Sequence, residues 1–595
     1  MPRTIYILGQ VVLVATLGGF ARLDASGPTP SEAFDRFAAD YLEAYLAAHP
    51  VRATKLGTHE HDSKLPDLSR GALRRRVAEL RRRLAELERH DPAALDPQQA
   101  YDHRILDHAI RAELLELEEV RGWQRNPMLY NTVLANGVAF LVDREFSTLD
   151  ARLNSLIARL EQFPRIISAA KKNLADVPAT WAELALKNTR GNVAFLSQSV
   201  PAALWDQGLG RLDPDLILKW DRVHRRAVRK LEGFARWMEE ELGPRAQGDY
   251  RLGPDVFERK LRYEEHVSLS VEELNRLNEE AIERYREWVA REAERLDPER
   301  TAAEVMASVT GNYPSPDELL PTARRNVEDA RRFVIDRRIV TLPPGEPPII
   351  RPTPEYARSG FASMSTPGPF ETEATESYYN ITNVDPDWTS EQQAQHLTYF
   401  NYPGLIGVSV HEVMPGHYVQ MLYQRELPTD VRKVFAPASL VEGWAHYTEQ
   451  MMIDEGFGGG DPAIRLGQLR RALQRHARWY AGLALHAGDT SLEQAAERFA
   501  EIAYFAPFPA LRETRRGTYN PTYLYYALGR MQILELREDY RRYRESRGEP
   551  FSLMEFHDRF LRLGLPVSLA RRAMIPDDAD DVAAGGGDPE LRRLD

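Results

Sequence analysis

The chain has 595 residues, no cysteine and a formal net charge of −12. Without cysteine there is no disulfide, no thiol nucleophile and no cysteine-ligated zinc or iron–sulfur cluster, so any metal rests on His, Asp or Glu. The acidic balance argues against a nucleic-acid partner, and 43% hydrophobic with 28% charged residues is globular composition.

Met1-Pro2-Arg3 precedes a mostly apolar run from Ile5 to Phe20, with small residues at Gly19 and Ala21. This reads as a secretory signal over residues 1–21, with Asp24-Ala25-Ser26 as a second cleavage position. The run is short for a bilayer. Export to the periplasm or the medium is expected, with an uncleaved N-terminal anchor as the alternative. The missing cysteine rules out a cysteine-linked lipid anchor. No other membrane association is expected.

Residues 30–338 read as a helical region. A helix is expected over Phe34 to Ala48. Leu73, Val77, Leu80, Leu84 and Leu87 then recur at heptad spacing, which predicts a bundle helix, or a short coiled-coil contact. Helical patterns continue over Ala100 to Arg121, Leu149 to Leu174, Pro214 to Leu242, Val271 to Arg295 and Pro316 to Arg338. His59 and His61 read as surface-loop residues, with metal ligation as the sharper alternative; His103 and His108 carry no partner pattern.

The texture changes at Ile339. Prolines and glycines crowd residues 339–383, and short β-prone runs appear at Ile349-Ile350 and from Tyr378 to Asn383. A small sheet is expected here. Tyr378, Tyr379 and Asn380 are the candidate strand for pairing an extended substrate, against the plainer reading of a buried strand. A helix follows from Ser390 to Phe400.

Residues 339–576 hold the chemistry. His411-Glu412-Val413-Met414-Pro415-Gly416-His417 sits at the end of an apolar helix, and Glu442-Gly443-Trp444-Ala445-His446-Tyr447-Thr448-Glu449 lies on the next. Two imidazoles and a carboxylate suit zinc, with a Glu beside the first His as base. The usual motif places the imidazoles four apart; here they are six apart, which turns the second by about 240° on a regular helix. Pro415 and Gly416 predict a bulge or break that returns His417 to the first. Glu442 reads as the third ligand, or as the far half of a capping box with Ser439. Helical spacing puts His446 and Glu449 on its face, as partners for the imidazoles. Zinc held this way would activate water for attack on an amide, with Glu412 moving the proton. An oxyanion donor is expected from Tyr526, His486 or Tyr523. The Gly-rich stretch Gly456 to Asp461 is a loop. Residues 577–595 read as a disordered acidic tail.

These two motifs resemble those of the large bacterial family catalogued as domain of unknown function 885, which pairs His-Glu-x-x-Pro-Gly-His with Glu-Gly-Trp-Ala-x-Tyr-x-Glu. Pro50, Ala53, Thr54, Gly57 and Asp62 resemble its early pattern; Tyr526-Ala527-Leu528-Gly529 and Phe556-His557-Asp558 resemble its late ones. The resemblance implies a mainly α, zincin-like zinc peptidase related in fold to thimet oligopeptidase and neurolysin, with a small sheet beside the metal helix and a deep substrate channel. It implies His411, His417 and Glu442 as ligands, Glu412 as base and Tyr526 near the reaction centre. Two departures stand out: Tyr418, where members often carry a second His, and Gly482, where many carry Asp. The expected activity is hydrolysis of short peptides. The competing readings are a non-catalytic peptide-binding protein on the same scaffold and a zinc hydrolase of a non-peptide amide or ester.

Overall fold

Helices begin where the sequence places caps. In the computed structural model, which describes residues 29–354 and 360–576, helix Pro30–Ala48 opens on Thr29, which shares a reciprocal capping box with Glu32. The same box opens Pro97–Leu115 from Asp96, Val271–Leu296 from Ser270 and Leu492–Ala503 from Ser491. The expected signal over 1–21 and tail over 577–595 lie outside the described residues. Among the described residues no helix is long and apolar enough to cross a membrane.

The heptad-patterned helix, Arg70–Leu87, is a bundle helix. Leu80 and Leu87 are fully buried, and Arg76 grips Glu113 of helix Pro97–Leu115 through Nε and Nη2, each at 2.8 Å. The single helix expected over Leu149 to Leu174 is two, Leu149–Glu161 and Phe163–Asn173. Pro164 explains the split: it fits the first turn of the second helix but would cost the first a hydrogen bond.

The sheet has three strands, β1 (Ile349–Pro352), β2 (Ala362–Ser365) and β3 (Tyr378–Ile381), in the order β1-β3-β2. β3 pairs parallel to β1, with Ile349 opposite Tyr378, and antiparallel to β2, with Ala362 opposite Ile381. The expected substrate strand is therefore the central one. Tyr378, Tyr379 and Asn380 already pair on both sides, and Tyr379 and Ile381 are fully buried. No main-chain edge remains there for a peptide; among the described residues the sheet edges belong to β1 and β2.

One apolar core among several runs from the first helices (Phe34, Tyr41, Leu80) through β3 to Trp444 and Met574. Segments on both sides of residue 339 share it. Helix Pro462–His486 crosses the interior, buried along most of its length, and packs on helices Val271–Leu296 and Leu492–Ala503.

Candidate metal centre

Helix Tyr402–Glu412 is apolar on nearly every side and buried. It ends at Glu412, and a new helix, His417–Arg425, starts five residues later. The connection is a complete break, with a cis peptide at Met414–Pro415. Gly416 N–H donates to Val410 O at 3.0 Å. A Cβ on Gly416 would stand 1.8 Å from the His411 carbonyl oxygen, so only glycine fits this return. Trp444, fully buried, donates from Nε1 to Pro415 O at 2.9 Å and holds the break. The His411 and His417 rings end 4.7 Å apart at 84°.

The third group comes from helix Ala438–Asp454. Glu442 Oε2 lies 3.5 Å from His411 Nε2 and 3.3 Å from His417 Nε2, and one ligand atom from each residue lies within 4.8 Å of the others. The capping-box alternative fails. The helix cap is Pro437, Ser439 lies inside the helix, and its N–H donates at 2.6 Å to Glu265 of helix Pro254–Glu265. Burial pushes the Glu265 carboxyl up to about 7.

These three groups fit zinc. Nitrogen and oxygen ligands at about 2.0–2.1 Å from a tetrahedral zinc stand roughly 3.4 Å from one another, close to the two Glu442 distances. Burial alone would raise the Glu442 carboxyl, but the facing imidazoles hold it well below the usual carboxylate range. His411 Nδ1 donates to Glu449 Oε1 at 2.8 Å, which leaves Nε2 as the free nitrogen. Glu449 is itself gripped by Arg471 (Nε to Oε2, 2.6 Å; Nη2 to Oε1, 3.0 Å) and by Arg475 (Nη2 to Oε1, 3.2 Å). His446 is fully buried beside it, with Nδ1 3.5 Å from Glu449 Oε1 and, among the described residues, no hydrogen bond from either ring nitrogen.

Two further side chains face this cluster. Glu412 is buried at the helix end, makes no hydrogen bond or ion pair among the described residues, and its charge is felt at His417 and at Tyr379. The Tyr526 ring lies 6.5 Å from that of His411, inclined by 26°. Its hydroxyl makes no hydrogen bond among the described residues, and burial, then Glu442, keeps it protonated far above neutrality. Tyr526 arrives on helix Tyr525–Ser546, which crosses helix Ala438–Asp454 glycine to glycine. A Cβ on Gly443 would meet Gly529 Cα at 2.7 Å.

Other expected residues lie elsewhere. Tyr523 is buried, and its hydroxyl donates to Glu513 O at 2.7 Å, so it has no proton to give an oxyanion. His486 ends helix Pro462–His486 with Nε2 on Gly517 O at 2.8 Å. It sits about 16 Å along the helix axis from Arg475, at 1.5 Å per residue, and burial lowers its pKa to about 4. His59 is neither a ligand nor a bare surface residue. It bridges Asp62 (2.9 Å) and Glu371 (3.1 Å) while stacked on Phe146 at 3.9 Å. Sequence reasoning missed Arg471 and Arg475. Their trace was there: Arg471, Arg475 and Arg478 recur at helical spacing among Leu469, Ala472, Leu473 and Ala477, on a helix with no solvated stripe for them.

Residues 50–574 match the bacterial family described as "Bacterial protein of unknown function (DUF885)". The chain belongs to this family. No curated protein matches it. Among solved structures it is similar to one from Shewanella oneidensis described as a "putative lipoprotein of unknown function", at 25% identity and TM-score 0.76, over 91% of this chain and 99% of that one. It is also similar in fold to a "putative lipoprotein" from Colwellia psychrerythraea, at 18% identity and TM-score 0.74, over 92% and 99%. The mainly helical fold with one small sheet is thus common to these proteins.

Proposed function

We propose that this protein is a zincin-like, zinc-dependent peptidase that hydrolyses short peptides. The observation that carries the reading is the ligand set: two imidazole Nε2 atoms facing one carboxylate oxygen at 3.5 and 3.3 Å, with the first imidazole fixed through Nδ1 by buried Glu449. Bound there, zinc supplies a Lewis acid and acidifies water. The chain's own residues do the rest. His411, His417 and Glu442 hold the ion. Glu412, free of partners, takes the proton from the attacking water and returns it to the leaving amine. Tyr526 keeps its proton and donates it as a hydrogen bond to the developing oxyanion. β2 leaves an edge open close to helix Tyr402–Glu412, so β2 rather than β3 is the strand to which an extended peptide would pair. A substrate channel among the helices would admit short chains and exclude folded ones. The lipoprotein descriptions of the similar structures favour an exported, envelope location.

Purified protein is expected to carry about one zinc and to cleave a mixed peptide library. Glu412→Gln should keep the zinc and lose at least about 100-fold in kcat. A metal-free protein, or full activity in Glu412→Gln, removes this reading.

A further inference from the structure

Beside Tyr526 the charges do not balance. Glu513 on helix Pro507–Tyr519 accepts from Arg478 Nε at 2.8 Å, and Arg478 Nη2 lies 2.8 Å from the same oxygen. Arg516 and Arg512 act on that carboxylate as well: burial would raise it, but Arg478, Arg516 and Arg512 hold it below the usual range. One carboxylate thus serves three guanidiniums. The Arg516 side chain is only partly exposed and makes no hydrogen bond or ion pair among the described residues.

Part of this charge acts on Tyr526. The Arg516 guanidinium carbon stands 5.6 Å over the Tyr523 ring. Arg478 stands 5.7 Å over the same ring and 5.2 Å over that of Tyr526, which in turn lies against His411. Arg512 stands 5.2 Å over Phe361, the residue before β2. Arg512, Arg515, Arg516 and Lys187 line one cavity of about 340 Å³, in which the sole carboxylate is Glu183. That volume is at the low end for small-ligand sites, roughly 300–1,000 Å³. An unpaired guanidinium in such a wall draws an anion, and its planar fork matches a carboxylate.

We propose that Arg516, with Arg512 on the same wall, receives the free α-carboxylate of a short peptide, so that the substrate class is peptides with an unblocked carboxyl end. The proposal rests on the peptidase reading. It explains why helix Pro507–Tyr519 turns Arg516 toward Tyr523 and Arg512 toward Phe361 in a chain that is acidic as a whole.

The test uses three matched peptides: one ending in a free carboxylate, its carboxamide, and a carboxamide whose last residue is Glu. Wild-type kcat/KM is expected to favour the free acid by about 10- to 100-fold, with both amides alike. Arg516→Ala should bring the acid-to-amide ratio close to unity, mainly through KM, and Arg516→Lys should restore part of it, with thermal melting recorded for both. A wild-type ratio near unity, or an unchanged ratio in a folded Arg516→Ala protein, overturns the proposal. So does a Glu-ended amide as good as the free acid, since the site would then read a side chain. Calorimetric titration of Glu412→Gln with the same peptides separates the two levels. If no peptide is cleaved but the free acid still binds preferentially, and Arg516→Ala abolishes that preference, the peptidase reading falls and the carboxylate site stands.

Discussion

Glu449→Gln is the sharpest probe of how the centre is built. The change keeps shape and removes one charge. In the native protein the Glu449 side chain is wholly buried and takes hydrogen bonds from His411 Nδ1, Arg471 and Arg475. Its carboxylate is held well below the usual range because the two guanidiniums outweigh its burial. A glutamine can present one oxygen only. Its NH2 must then face a donor, either Arg471 Nε or the position shared by His411 Nδ1, Arg471 Nη2 and Arg475 Nη2. Two interior guanidiniums lose their counterion; Arg471 retains a 3.5 Å contact to Tyr399 Oη, and Arg475 retains 3.2 Å to the Arg471 carbonyl. Removing one partner from a buried ion pair costs about 3–5 kcal/mol. Loosening the ring of a ligating histidine costs about 10- to 100-fold in metal affinity. Denaturant unfolding of metal-free protein should show the first loss, and a competition titration against a fluorescent zinc chelator the second. Stability within about 1 kcal/mol of wild type, together with zinc affinity within about twofold, would refute the assignment of Glu449 as the residue that orients His411.

Two further expectations follow from the packing. Gly443→Ala puts a methyl 2.7 Å from Gly529 Cα; the two helices must part by about 1 Å to reach ordinary contact. Such overpacking costs about 1–3 kcal/mol, and a shift of that size in Tyr526 against His411 should lower kcat by up to about 100-fold; a variant that melts and turns over like wild type defeats the claim. The His59 bridge gives a pH dependence. Burial opposes its protonation, but Asp62 and then Glu371 outweigh it and raise the His59 pKa above the usual value. A raised folded pKa gives stability that is full below the unfolded value of about 6.5 and fades as pH climbs through the folded one. His59→Gln should therefore cost about 1 kcal/mol near pH 6 and less near pH 9; a penalty that grows with pH reverses the argument.

Much of this was legible in the residues because it is local. Capping residues, proline positions and apolar periodicity fix where helices start and which face they bury, so the helical framework could be read directly. The ligand set was legible for the same reason. A proline and a glycine between His411 and His417 announce a break, whatever its form. What stayed hidden depends on pairing across long stretches of chain. Nothing near Tyr378 says that β1 and β2 will occupy both of its sides. Nothing near Ser439 says that Glu265, far upstream, will take the role a capping box would fill. Tyr523 and His486 are chemically fit to donate a proton, yet each is spent on a carbonyl, at Glu513 and Gly517, that the fold alone brings near. The early pattern around Thr54 and Asp62 builds a hydrogen-bonded turn. Thr54 Oγ1 donates to Asp62 Oδ1 at 2.5 Å, Asp62 holds His59 Nδ1, and His59 Nε2 reaches the loop of Glu371.

The second motif makes sense as the builder of the first. Along helix Ala438–Asp454, Glu442 faces both imidazoles as the proposed third ligand, and Gly443 lets Tyr526 approach. Trp444 fixes Pro415 and with it the break, and Glu449, two turns on, sets the ring of His411. Four residues on one rigid element thus control both imidazoles, the carboxylate and the proton donor. A helix is rigid on the scale that matters, so these groups hold their spacing without the substrate's help. That arrangement also explains the six-residue interval between His411 and His417. A regular helix presents imidazoles four residues apart on one face by itself; at six apart the backbone must break, the break needs an outside clamp, and the indole of Trp444 is that clamp.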